Sequence, residues 1–116
     1  YVSLHCPLNE KTKHIINAET LSLMKPTAFL INTARGALID EPALIEALKK
    51  GTIAGAGLDV QETEPPVEDN PLYTMENVIL TPHMGWKGLE TRQRLVSILA
   101  DNVQSYIKGN PINVVC

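Results

Sequence analysis

Four short apolar runs, each closing on a polar residue, constrain this chain more than any other feature. Residues 2–4, 28–31, 53–60 and 78–81 each read as a buried strand, too short to be an independent helix. Pro7 ends the first by removing a backbone donor. Between the runs lie helix signals. Asn17 is placed to cap a short helix through Leu21 and Met24, which Lys25-Pro26 stops, because the residue before proline is pushed out of the helical region. Asp40 is placed to cap a second helix, with Glu41 near its positive end, Pro42 in its first turn and Gly51 as its stop. Leu44, Ile45 and Leu48 supply that helix's apolar face. A proline-rich loop over residues 64–71 separates the third and fourth strands, and loops of that length are often functional. A long amphipathic helix follows over 87–108, with Val96, Leu99, Val103 and Ile107 at helical spacing.

Strands alternating with helices predict an α/β architecture with a parallel sheet covered on both faces, where active loops gather at the carboxyl ends of the strands. The polar residues follow that rule: His5, residues 32–35, Asp59 and His83 all come at or just after a predicted strand end. Four such ends converging on polar groups is the pattern of a site.

Composition narrows the partners. With 116 residues the chain has room for one core, and 44% hydrophobic against 20% charged residues is ordinary for a soluble globular domain. A formal net charge of -3 without a basic cluster argues against nucleic acid. No apolar run approaches the ~20 residues that cross a bilayer. Cys6 and Cys116 lack metal-ligand spacing and no signal peptide precedes them, so a reduced cytoplasmic compartment is expected. Tyr1 to His5 read as a strand already under way with no initiator methionine, so we expect a segment of a longer protein.

Arg35, after a buried strand, has the planar fork that holds a carboxylate bidentately. Gly36 beside it favours a tight turn. His83 can exchange a proton near neutral pH, and a carboxylate such as Glu64 beside it would favour its charged form. Asp59 ends an apolar glycine-rich strand and must find a partner. Taken singly, Arg35, Glu64 and His83 read equally as ordinary solvated loop side chains.

Together, His5-Cys6-Pro7-Leu8, Asn32-Thr33-Ala34-Arg35-Gly36, Asp40-Glu41-Pro42-Ala43-Leu44, Ala56-Gly57-Leu58-Asp59-Val60, Glu64-Pro65 and Thr81-Pro82-His83 resemble the D-isomer-specific 2-hydroxyacid dehydrogenase family in order and approximate spacing. The resemblance covers essentially the whole chain. It implies the second half of a Rossmann-type doubly wound parallel sheet over residues 1–86, and a long helix and tail over 87–116 that return toward an upstream substrate domain. It implies that Arg35 binds the substrate's carboxylate and carbonyl, that His83 is the acid/base and that Glu64 is its carboxylate partner. Asp59 matches the aspartate that binds the nicotinamide carboxamide, Cys6, Pro7, Thr33 and Ala34 match cofactor-lining positions, and Gly85 and Trp86 follow the histidine beside the ring. Arg35 and His83 border the cofactor as well.

The glycine-rich G-x-G-x-x-G turn and the acid that reads the ribose are not in this sequence, since the glycines from Gly51 to Gly57 surround a strand rather than open a helix. NAD is the expected cofactor, with NADP left open. The isolated segment should bind dinucleotide poorly and show negligible activity. Strand edges and helix faces that the upstream half would cover favour self-association, and a homodimer is expected. Trp86 and the segment from Thr91 to Leu95 look like the glycerate dehydrogenase or hydroxypyruvate reductase branch, and Trp86 reads either as packed on the nicotinamide pocket or as a core residue. The resemblance implies a small 2-keto or D-2-hydroxy acid as substrate, such as hydroxypyruvate or D-glycerate. A rival reading is an NAD(H)-sensing corepressor of the same fold, which can keep the same residues.

Overall fold

The computed structural model describes residues 1–115; Cys116, the second cysteine of the redox expectation, lies outside the described residues. The chain forms two compact units, Tyr1–His83 and a second beginning at Met84.

In the first unit, strands β1 (Val2–Leu4), β2 (Phe29–Asn32), β3 (Gly55–Leu58) and β4 (Val78–Leu80) pair in sequence order, every pair parallel. Helix α1 (Ala18–Ser22) connects the first two strands and α2 (Glu41–Lys49) the next two, while β3 reaches β4 through a loop and a 3₁₀ turn at Pro71–Thr74. The predicted caps form. Asn17 accepts from the Glu19 and Thr20 N–H groups while its own N–H donates to Thr20 Oγ1, a reciprocal capping box. Asp40 accepts from the Ala43 N–H at 3.1 Å, and Gly51 takes φ +68 just beyond α2, where a side chain would be strained.

Some boundaries differ from expectation. α1 stops at Ser22 rather than reaching Met24, and β2 sits one residue later than residues 28–31. β3 occupies only the middle of 53–60; Ile53 and Val60 are buried where the chain bends at either end, so their apolar character reflects burial and not pairing. On α2 the buried side chains are Leu44, Ala47 and Leu48, with Ile45 packed at the margin.

Register sets the core. Leu30, Ala56 and Val78 align on one face, as do Leu4, Asn32, Leu58 and Leu80. Leu21, Leu38, Leu44, Leu48 and Leu72 close over them. Each fully buried leucine contributes roughly 1.5–3 kcal/mol. The opposite face carries Ser3, Phe29, Ile31, Gly57 and Ile79, and Ile79 is 73% exposed. Within this unit the helices cover one face of the sheet. The reason is topological: strand order advances in one direction, and successive right-handed crossovers then fall on the same side.

The second unit holds α3 (Leu89–Ile107), two residues shorter at its start than predicted, with Gly88 at its N-cap and Gly109 at φ +78 after its end. No residue of α3 is buried, and its stripe of Val96, Leu99, Val103 and Ile107 is exposed. Among the described residues no helix is long and apolar enough to cross a membrane.

Candidate active site

Parallel strands in sequence order place every strand-to-loop exit on one edge of the sheet, and the candidate residues of the first unit stand there. After β4, the chain turns sharply about Pro82, with the His83 N–H donating to the Thr81 carbonyl at 3.0 Å. His83 takes φ 51, a left-handed conformation uncommon outside glycine and tolerated by histidine better than by most residues. Its Nδ1 lies 2.7 Å from Glu64 Oε2. A carboxylate only accepts, so Nδ1 carries the proton and Nε2 is the nitrogen that could exchange one with a ligand.

Glu64 is held from two sides, because its Oε1 also accepts the Gln61 N–H at 3.1 Å. Burial pushes its carboxyl pKa up. The hydrogen bonds from His83 and the Gln61 N–H, with the positive charges of His83 and Arg35, outweigh that and hold it below the ordinary 4.5. Arg35 thus acts on the pair through space.

Arg35 is presented by a loop that Asn32 braces. The Asn32 side chain, fully buried at the end of β2, donates to the Arg35 carbonyl at 2.9 Å and accepts the Ala34 N–H at 3.1 Å. Sequence reasoning grouped Asn32 with the polar strand ends but gave it no role; a lone amide closing an apolar run was the available signal. The Arg35 guanidinium is exposed and donates from Nη1 to the Ala34 carbonyl at 2.7 Å. Gly36, next in the chain, lies directly against the Gln61–Glu62 peptide. Its requirement is room for that approach, not the unusual dihedral that a tight turn would need.

These loops share a cleft. Arg35, Gly36, Glu64 and His83 line one volume of about 270 Å³ together with Leu8. On the far side of the Glu64–His83 pair, Asp59, Tyr73, Leu80 and Thr81 border a second cleft of about 420 Å³. Asp59 has the partner its position demanded, since the Thr81 hydroxyl donates to its Oδ1 at 2.5 Å. Cys6, Pro7, Ala34 and Arg35 line a third, of about 680 Å³, and Thr33 is exposed on the same loop. Gly85 and Trp86 belong to the second unit. There Trp86 is 55% exposed with the Arg92 guanidinium 5.6 Å from its ring centroid, so it is not a core residue of that unit.

A guanidinium and an imidazole bordering one small cleft suit an anionic ligand whose oxygen gains negative charge during reaction. The neighbouring carboxylate of Asp59, beside apolar Leu80 and Pro65, suits a flat ring bearing an amide donor. Nothing in the sequence supplies a phosphate-cradling glycine turn. The donor set therefore fits the nicotinamide end of a dinucleotide, not its pyrophosphate end.

An open parallel sheet with its polar groups at the carboxyl edge defines the class as a doubly wound α/β domain that binds its ligand at that edge. Residues 1–85 match the D-isomer specific 2-hydroxyacid dehydrogenase, NAD binding domain, and the chain belongs to this family. It is 51% identical over 116 residues to a glycerate dehydrogenase of Methylorubrum extorquens, covering 98% of this chain and 37% of that one. To a hydroxypyruvate reductase of Blautia hydrogenotrophica it is 46% identical, covering 98% and 35%. Among solved structures, a D-lactate dehydrogenase with NAD+ from Lactobacillus jensenii superposes with TM-score 0.88 at 36% identity, covering 98% and 38%. An acyclic imino acid reductase in complex with NADPH and D-Arg gives 0.84 at 46%, covering 98% and 36%. The chain thus spans little more than a third of the length of these relatives.

Proposed function

We propose that the protein carrying this chain moves hydride between NAD(P)H and a 2-keto acid, with hydroxypyruvate and D-glycerate as the substrate pair. The carrying observation is the 2.7 Å bond between His83 and Glu64 beside Arg35 in one cleft. Arg35 clamps the substrate carboxylate, and His83 Nε2 protonates the carbonyl oxygen as hydride arrives or takes the hydroxyl proton in reverse. Glu64 orients the ring. Asp59 takes the carboxamide, with Cys6, Pro7, Thr33, Ala34, Gly85 and Trp86 around the cofactor, which supplies the hydride. Residues 1–86 then serve as the later half of the cofactor domain and 87–116 as the return toward a substrate domain. The protein works as a cytoplasmic homodimer, and this segment alone is inactive because the pyrophosphate anchor lies elsewhere.

Hydroxypyruvate is favoured by the glycerate dehydrogenase and hydroxypyruvate reductase relatives. Relatives named glyoxylate reductase at 50% identity make glyoxylate the control substrate. The test is steady-state reduction of both acids by the full-length protein with NADH and NADPH. His83→Ala should lower kcat by about 10²–10⁴-fold. Binding of NADH without His83-dependent turnover would replace the enzyme with the sensor reading.

A further inference from the structure

Beyond the His83–Glu64 pair, the same loop carries a second histidine–carboxylate contact that the reaction does not use. His14 Nε2 donates to Glu62 Oε1 at 2.7 Å. The other oxygen of Glu62 accepts the Glu41 N–H at 3.2 Å, and the Glu62 N–H donates to Glu41 Oε2 at 3.1 Å. The two glutamates thus hold each other's backbone. Glu41 Oε1 in turn accepts Asn70 Nδ2 at 2.7 Å, and that amide nitrogen also reaches Gln61 Oε1 at 3.1 Å. Asn70 is buried, and its Oδ1 accepts the Leu72 N–H at 3.0 Å.

Side by side, two carboxylates repel unless donors compensate each of them. Here every oxygen has one. Between them lies the Gln61–Glu62 peptide: Glu41 Oε2 accepts its N–H and the backbone of Gly36 packs against it, while His14 and Asn70 tie the side chains of Glu62 and Gln61. The Gln61 N–H is the group that steadies Glu64 Oε1. That N–H belongs to the preceding peptide, so a shift of the backbone at Gln61, which the held Gln61–Glu62 peptide prevents, would cost Glu64 its second bond and His83 its fixed partner.

We propose that Glu62, locked by His14 and Glu41, is a positioning residue for proton transfer: it sets the Gln61–Glu62 peptide so that Glu64 keeps its place on His83. This rests on the reading of His83 as the acid/base. Glu62→Ala and Glu62→Gln are compared in the full-length protein, in the wild-type and Glu64→Gln backgrounds. Glu62→Ala should lower kcat about tenfold or more with KM changed by no more than about twofold, since small misplacements act on the chemical step. Glu62→Gln, which keeps one acceptor oxygen, should recover most of that loss.

In the Glu64→Gln background neither substitution should lower kcat further, because an effect transmitted through Glu64 is not additive with its removal. Equal losses in both backgrounds overturn the proposal. Should Glu62→Ala fail to fold, His14→Ala, which removes one of the two locks on Glu62, carries the same cycle, and the same two outcomes support or overturn the proposal. If the protein has no His83-dependent turnover, the enzyme reading fails separately. The NMR resonance of the His83 Nδ1–H then decides positioning: its loss in Glu62→Ala with Glu64 intact supports it, and its retention overturns it.

Discussion

Replacing Gly36 with alanine isolates how the substrate-side loops are spaced. A Cβ at this position would lie 1.8 Å from the Gln61 carbonyl oxygen, 2.0 Å from its carbon and 2.5 Å from the Glu62 nitrogen. All three are backbone atoms, so no flexible side chain can swing aside. Ordinary contact begins at 3.4 Å, so the two loops must part by about 1.6 Å, the shortfall from 1.8 Å. Overpacking of this kind costs roughly 1–3 kcal/mol, which leaves most domains folded. The larger effect falls on geometry. Arg35 precedes Gly36 directly, and Glu64 hangs on the Gln61 N–H, so the displacement is shared between the two. A misplacement of about 1 Å is enough to lose roughly 100-fold in rate. Gly36→Ala in the full-length protein should therefore lose about 100-fold in kcat/KM for a 2-keto acid while keeping a cooperative melt. Steady-state kinetics beside thermal denaturation measures both. A variant within about twofold of wild type in kcat/KM, or one whose crystal structure shows Gln61 in place, refutes the spacing argument.

Two further outcomes concern the pair and the brace. Because the folded pKa of Glu64 is depressed, its contribution to stability is present above 4.5 and lost as pH falls through the lower folded value. Urea unfolding of wild type and Glu64→Gln should thus show a gap at about pH 7 that narrows as pH falls below 4.5; an unchanged gap would contradict the linkage. Asn32→Ala leaves the Ala34 N–H and the Arg35 carbonyl without their buried partner, and chemical denaturation should show a loss of about 1–3 kcal/mol. A loss under about 0.5 kcal/mol would mean that water replaces the amide at little cost.

Sequence carried the order of elements well because local chemistry decides it. Asn17 and Asp40 have side chains that satisfy helix N–H groups within three residues, and both caps form as read. Strand limits were less legible, since Ile53 and Val60 are as apolar as paired residues yet sit outside β3. At the site, His83, Glu64 and Arg35 were singled out through their motifs, and the three line one cleft. Asn32 was given no role although its bonds are local; Glu41, Glu62 and Asn70 were not assigned to the site, because their importance lies in contacts between residues up to 48 apart in sequence.

Sheet and loops divide the construction of the site between them. Neighbouring strands stand about 4.8 Å apart, so the ends of β2 and β4, with β3 between them, are separated by roughly 10 Å. The parallel order fixes which residues face the same edge, and the side chains of Arg35 and His83 reach across that gap to line one cleft. The loop after β3 stands between them, leaning on Gly36 beside Arg35 and reaching with Glu64 to His83. A loop that must bridge two strands cannot also be loose. That is the physical reason for the Glu41–Glu62 cross-bonding, and it makes the residues between Asp59 and Pro65 the most sensitive stretch of the chain to small shifts.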